Sequence, residues 1–254
     1  MVVHFIKKFL SVLLNFVLPH RCLMCGEFTQ HDDTACTFVS LSKPSVCGAC
    51  WHQLSFITKP YCLTCGAPLA FDGDACQSCF NKAFAFDSVR AVLVYNEVSK
   101  KMITRFKHAG QAGYARLFAP WMYNVALSVL RDRQDQDNWD AIVVVPLHPL
   151  RFIRRGFNQA MLLAQHMGLS LPILKKALKR IRHTVSQGHQ SPDDRQKNIQ
   201  HAFIAQASCV NGKRLLLIDD VMTTGATLNE CTIVLKNAGA IRVDILVLAR
   251  AIRV

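Results

Sequence analysis

The stretch that most constrains the fold is Arg214 to Leu228, RLLLIDDVMTTGATL. Leu215 to Ile218 form an unbroken apolar run, the pattern of a strand buried on both faces of a parallel sheet. Asp219 and Asp220 follow, which predicts that they sit at the carboxyl end of that strand, where open α/β sheets receive ligands. Thr223, Thr224, Gly225, Ala226 and Thr227 then supply hydroxyls, a flexible glycine and the N–H groups of a helix start. Together these make an anion site suited to a phosphate. Adjacent acids ending a core strand are costly to desolvate unless something uses them.

The second constraint is cysteine. Of 11 cysteines, nine precede residue 80, and eight of these form four C-x-x-C pairs. The pairs repeat in order. Cys22-Leu-Met-Cys25-Gly26 returns as Cys62-Leu-Thr-Cys65-Gly66, and Cys47-Gly-Ala-Cys50-Trp51 as Cys76-Gln-Ser-Cys79-Phe80. A C-x-x-C turn gives two thiolates to one ion, and tetrahedral zinc needs four. The glycine after the first pair permits a positive φ that turns backbone N–H groups toward sulfur. The repeat order favours two structural zinc ions, on Cys22, Cys25, Cys47 and Cys50 and on Cys62, Cys65, Cys76 and Cys79. An interleaved cross-brace, or pairs that are empty or redox-active, are the alternatives. Cys36, Cys209 and Cys231 read as ordinary thiols.

The N-terminus, MVVHFIKKFLSVLLNFVLPHRC, imitates a signal peptide, with Lys7 and Lys8 ahead of the apolar run Phe9 to Leu18. No small-x-small cleavage site follows, and the run is too short to span a bilayer. It predicts an amphipathic helix over 1–21, with weak peripheral membrane contact as an option. No transmembrane segment is predicted. With reduced, metal-holding cysteines, a cytoplasmic location is expected. The chain is 254 residues long, and its formal net charge of +13 favours a polyanionic partner, nucleic acid or a phosphorylated ligand.

From about Ala83 the composition turns to an α/β pattern. Strands are predicted at Val89–Tyr95, Ala141–Val145, His201–Ile204 and Ile241–Arg250, and helices at Asn96–His108, Tyr114–Leu130, Gln159–Met167 and Ala226–Ala238. Between a strand and a helix, residues 146–159 read as a loop carrying Arg151, Arg154 and Arg155, whose guanidinium forks match phosphate oxygens. Lys175 to Gln200 is basic and aperiodic, and reads as a long functional or mobile loop.

The Asp-Asp and Thr-Thr-Gly-x-Thr elements resemble the 5-phosphoribosyl-1-pyrophosphate (PRPP) loop of type I phosphoribosyltransferases. Together with Phe106-Lys-His-Ala-Gly110, the run from Val145 to Gln159 with its RRGFNQ core, and Arg195-x-x-Asn198, they identify the chain as similar to the ComF family (competence protein ComF and GntX-like proteins) along nearly its whole length. The resemblance implies a double zinc ribbon over 22–83 and, over 84–254, a type I phosphoribosyltransferase-like parallel sheet flanked by helices. It implies that Asp219 and Asp220, the catalytic candidates, hold the ribose hydroxyls, that Thr223 to Thr227 cradle the 5′-phosphate, and that Mg²⁺ accompanies PRPP. Lys107, Arg151, Arg154, Arg155, Arg182 and Arg195 become contacts for pyrophosphate or nucleic acid, and Lys175 to Gln200 a closing hood.

Three functions follow. The first is a competence protein that takes part in uptake or processing of transforming single-stranded DNA, binding PRPP and DNA, with Phe152, Phe157 and Trp51 as candidate stacking platforms. The second is a phosphoribosyltransferase acting on a nucleobase or related acceptor. The third is a non-enzymatic PRPP-sensing scaffold for other DNA-uptake proteins.

Overall fold

A computed structural model describes residues 21–28, 46–71, 73, 75–80, 83–108, 112–133, 138–182 and 199–252. The predicted N-terminal helix, Cys36, Arg195 and the Arg195-x-x-Asn198 motif lie outside these residues, as does most of the basic segment. Contacts gather the chain into two compact units, Met1–Leu54 and Ser55–Val254.

In the first unit, Cys22–Gly26 forms one cysteine turn, and the second C-x-x-C opens the short helix α1, Gly48–Trp51. Val46, Leu54, Cys22 and Cys50 are buried there.

The second unit opens on a matching turn at Cys62–Gly66 and a short helix, α2 (Gln77–Phe80). A four-stranded parallel sheet follows. Its strands are β1 (Ser88–Val94), β2 (Ala141–Val144), β5 (Arg214–Met222) and β6 (Arg242–Arg250), in the order β1-β6-β5-β2. The central strands β5 and β6 are apolar and almost wholly buried, with Leu215, Leu217, Ile218, Val243, Val247 and Leu248 fully enclosed. A buried parallel sheet needs cover on both faces. Among the described residues the main covering helices are α3 (Glu97–Phe106), α4 (Tyr114–Arg131), α6 (Gln159–Met167) and α8 (Ala226–Asn237).

The structure departs from the expectations in two places. The 146–159 stretch is not all loop: Pro149–Arg155 is a helix, α5. His148 caps it by accepting from the Leu150 N–H at 3.3 Å, Pro149 sits in its first turn, and Gly156 ends it at φ 80°. This is the proline-in, glycine-out signature of a short helix. The 175–200 stretch is not all loop either. Leu178–Arg180 forms β3, antiparallel to β4 (Phe203–Ala205), and a single turn, α7 (Ala207–Val210), follows β4. No described helix is long and apolar enough to cross a membrane.

Candidate functional site

Strand β2 pairs with β5 from Ala141↔Leu215 to Val144↔Ile218 and goes no further, because Pro146 cannot continue a ladder. From Asp219 onward β5 is paired on the β6 side alone, Asp219↔Val247 through Met222↔Arg250. The acids therefore stand beyond the end of β2 although β5 runs on to Met222. Gly225, at φ 82°, turns the chain into α8. A Cβ at that position would lie 2.7 Å from the Met222 side chain.

A cavity of about 410 Å³ opens over this turn, a size that suits a small ligand. Asp219, Asp220 and Thr223 to Thr227 line it, with Lys107, Arg151, Arg155, Asn158, Gln159 and Arg180. Lys107 ends α3, which is started by an Asn96–Ser99 capping box and anchored by the buried Phe106. Its ammonium meets Asp220 Oδ2 at 3.0 Å. Asp219 Oδ1 accepts the Asp220 N–H at 2.8 Å.

Burial, and then the neighbouring Asp220 charge, push the Asp219 carboxyl up to about 7. The backbone N–H, Lys107 and Arg180 oppose that rise. Arg151 and Arg180 show the opposite frustration. Burial, and then the charge of Arg155 on Arg151 and of Arg151 on Arg180, lower both guanidinium pKa values. Like cations are thus held close together in a partly desolvated space, an arrangement that an anionic ligand relieves.

Gln159 adds a donor. Its side chain is buried and accepts from Arg155 at 3.1 Å, while its buried Nε2 has no hydrogen-bond partner among the described residues. Asn158 caps α6 and donates to the Val145 carbonyl at 3.0 Å, which fixes where Gln159 starts that helix.

Of the site residues expected from sequence, the cavity brings together Lys107, Arg151, Arg155, Asp219, Asp220, Thr223, Thr224, Gly225, Ala226 and Thr227. Arg154 is exposed on α5 and Arg182 is exposed just past β3, and neither lines the cavity. Arg180 and Gln159 do line it and were not singled out by sequence reasoning. Alternation along β3, with Leu178 and Arg180 buried and Lys179 exposed, selects Arg180 once the strand is known. Gln159 closes the RRGFNQ core and was legible as a motif residue but not as a donor.

The cysteines form two groups of four, Cys22, Cys25, Cys47, Cys50 and Cys62, Cys65, Cys76, Cys79, with the sulfurs of each group within 4.8 Å of one another. This is the sequential pairing, not the cross-brace. Thiolates around one tetrahedral zinc, each about 2.3 Å from it, lie about 3.8 Å apart. Cys25 to Cys47 is 3.8 Å and Cys65 to Cys76 is 3.7 Å. Backbone N–H groups point at the first sulfur of each group: Met24 and Cys47 at Cys22, 3.4 and 3.3 Å away, and Cys65 at Cys62, 3.5 Å away. Burial raises the Cys22 and Cys62 thiols, but such N–H bonds outweigh it and bring them to about 6 and about 7. Both donor sets fit zinc, whose charge would offset part of the negative charge of four sulfurs.

Residues 13–80 match the family described as the double zinc ribbon domain, and residues 125–253 match the phosphoribosyl transferase domain. Competence protein F of Haemophilus influenzae is 34% identical over 243 residues, 94% of this chain and all of that protein. Competence protein ComFC of Streptococcus pneumoniae is 29% identical over 87% of this chain and 95% of its own length. DNA utilization protein YhgH of Salmonella typhimurium is 29% identical over 84% of this chain and 94% of its own. With its two four-cysteine groups, its parallel sheet and its phosphate-type turn, the chain belongs to the ComF family of competence and DNA-utilization proteins, and carries that family's double zinc ribbon and phosphoribosyltransferase domains.

Proposed function

We propose that this protein binds PRPP with Mg²⁺ at the end of β5 and acts in the handling of single-stranded DNA during its uptake or use. The observation that carries the first part is the cavity itself. Two carboxylates, a threonine-rich helix start, Lys107 and three arginines converge there. Thr223 to Thr227 would take the 5′-phosphate on hydroxyls and α8 amides. Asp219 and Asp220 would take the ribose hydroxyls. Arg151, Arg155, Arg180 and the Gln159 amide would hold the pyrophosphate. Mg²⁺ bound with PRPP supplies charge neutralisation between the phosphates and the acids.

The names of the relatives support the second part. So does α5, where exposed Phe152 and Ile153 stand in sequence among Arg154 and the cavity-lining Arg151 and Arg155. Cations interleaved with an exposed aromatic suit a single strand. Phe157 is half-buried, its ring centroid 6.0 Å from that of the buried Phe106. Trp51 is half-buried on α1. Cysteines read as reduced zinc donors suit a cytoplasmic setting, beside other DNA-uptake proteins. In this reading residues 22–83 are the ribbon segment and 84–254 the phosphoribosyltransferase-like segment, behind an N-terminal segment 1–21.

One titration series tests this: PRPP with Mg²⁺, with and without single-stranded DNA, read both by binding and by pyrophosphate release. Saturable PRPP binding and salt-sensitive DNA binding are expected. Absence of PRPP binding sinks the first part, and salt-independent or absent DNA binding the second. Pyrophosphate release with a nucleobase acceptor would make the protein a transferase. Binding without release would make PRPP a bound ligand of a scaffold.

A further inference from the structure

The second cysteine group and the phosphate turn are joined by one side chain. Arg250, the last residue of β6, donates from Nε to the Cys65 carbonyl at 3.0 Å. Its NH1 reaches the Thr223 carbonyl at 2.6 Å, the Met222 carbonyl at 3.4 Å, and the Ala251 carbonyl. The backbone around it is fixed as well: Tyr95 N–H donates to the Arg250 carbonyl and Ala251 N–H to the Met222 carbonyl. The guanidinium therefore spans from a residue of the second cysteine group to Met222 and to Thr223, the first residue of the Thr-Thr-Gly-x-Thr turn. A guanidinium holds its donors in one rigid plane, so a shift of one acceptor is passed to the others.

We propose that Arg250 is a positioning residue that makes the phosphate turn depend on the metal in the Cys62, Cys65, Cys76, Cys79 group. With metal bound, Cys65 and its carbonyl are fixed, Arg250 is held against them, and its other arm fixes the Met222 and Thr223 carbonyls. Loss of that metal frees the Cys65 carbonyl, releases the guanidinium and loosens the turn. The coupling is assigned to this group alone, because the carbonyls that Arg250 reaches, of Cys65, Met222, Thr223 and Ala251, all belong to the Ser55–Val254 unit. A thiol oxidant or a chelator acting on the second group would thus weaken phosphate binding without touching any residue in the cavity. The ligand half of this inference rests on reading the turn as a phosphate site; the coupling half does not.

The experiment uses the full chain loaded with zinc, and three variants: Cys76→Ser in the second group, Cys25→Ser in the first, and Arg250→Gln with both metals retained. Amide hydrogen exchange at Thr223–Thr227 is read against the β5 and β6 amides as a control for folding, and the affinity for PRPP with Mg²⁺ is measured by calorimetry. Cys76→Ser and Arg250→Gln are each expected to speed exchange in the turn by about tenfold or more while the sheet stays protected. The double variant is expected to be no faster than either alone, and Cys25→Ser to match wild type. Additive effects overturn the proposal, as does an unchanged turn in Arg250→Gln. Should Cys76→Ser unprotect the sheet too, Arg250→Gln alone decides. A wild type that binds no PRPP but shows this exchange pattern sinks the phosphate reading and leaves the coupling standing. Equal PRPP affinity and equal turn exchange in wild type, Cys76→Ser and Arg250→Gln sink the coupling alone.

Discussion

In the first cysteine turn, Cys22 N–H donates to the Glu27 carbonyl at 2.8 Å and Gly26 N–H to the Cys22 carbonyl at 2.9 Å. In the second, Cys62 N–H donates to the Ala67 carbonyl at 2.7 Å and Gly66 N–H to the Cys62 carbonyl at 2.9 Å. Each turn is closed by a short antiparallel bridge, Arg21↔Phe28 and Tyr61↔Pro68, and each is followed by a C-x-x-C that opens a four-residue helix. The local structure is the same twice over. The surroundings are not. Cys25 is exposed and Gly26 faces open space, whereas Cys62 and Cys65 have no exposed surface and Gly66 lies against β1. Cys62, Cys65, Ala67 and Cys79 share one apolar cluster with Phe86, Val89, Met222 and Leu228. One motif therefore serves as a local clip in one place and as part of a domain core in the other.

The largest difference is expected from the cysteines. Cys65→Ala removes one of the four clustered sulfurs and opens the apolar cluster it shares with Met222 and Leu228, and should destabilise the Ser55–Val254 unit by roughly 5 kcal/mol or more if zinc is held there. Cys25→Ala should leave that unit unchanged. Urea unfolding in a Trp51→Phe background, where fluorescence reports on Trp121 and Trp139 of the second unit, reads both. Equal losses would erase the distinction.

The glycines sharpen it. Gly26 and Gly66 both have positive φ, +82° and +69°, so alanine at either is strained. At Gly66 the new Cβ would also stand 3.0 Å from the Val89 carbonyl oxygen. Gly66→Ala should cost about 3 kcal/mol and Gly26→Ala about 1 kcal/mol, each measured in its own unit.

Next in size is a pH effect confined to the second unit. The Asp219 carboxyl titrates near 7 in the ligand-free fold, against a usual 3.8. Between those values the folded state keeps a proton that the unfolded chain has lost, so this contribution to stability, present below about pH 4, disappears as pH rises to 7. Asp219→Asn should match wild type below pH 4 and exceed it increasingly as pH rises toward 8. A wild type with no loss of stability between pH 4 and 7 contradicts the raised carboxyl.

The smallest effects lie on the cavity wall. Gln159→Leu removes the buried amide at little cost to folding, and should weaken PRPP binding by about tenfold. Arg154→Ala on the exposed face of α5 should leave PRPP affinity alone and lower the salt slope of single-strand binding by about one contact. If Arg154→Ala instead weakened PRPP, the rim and the cavity would not be separate surfaces.

Much of the site was legible because local chemistry dictates it. An apolar run ending in two acids and a threonine-glycine turn has few uses, and Leu215 to Leu228 became β5, the turn and α8 as the pattern requires. Lys107, Arg151 and Arg155 could be nominated as cations, but sequence does not say which cations share a space. Arg180 and Arg182 are equally basic neighbours, and only the pairing of β3 with β4 decides that Arg180 turns inward. Helix α5 is legible in Pro149 and Gly156, which set its two ends, although its arginines suit a phosphate-binding loop as well.

By itself the sequence determined the four C-x-x-C pairs, the threonine-glycine turn after β5 and the α/β class, since each depends on residues close together in the chain. Tertiary structure set the sequential grouping of the cysteines against the cross-brace, and it alone decided which arginines face the acids and that Arg250 ties Cys65 to Thr223. Those outcomes depend on segments as far apart as residues 65 and 250 meeting at one point. Spacing along a chain carries no record of that until the sheet has closed and set β6 beside β5 and β1.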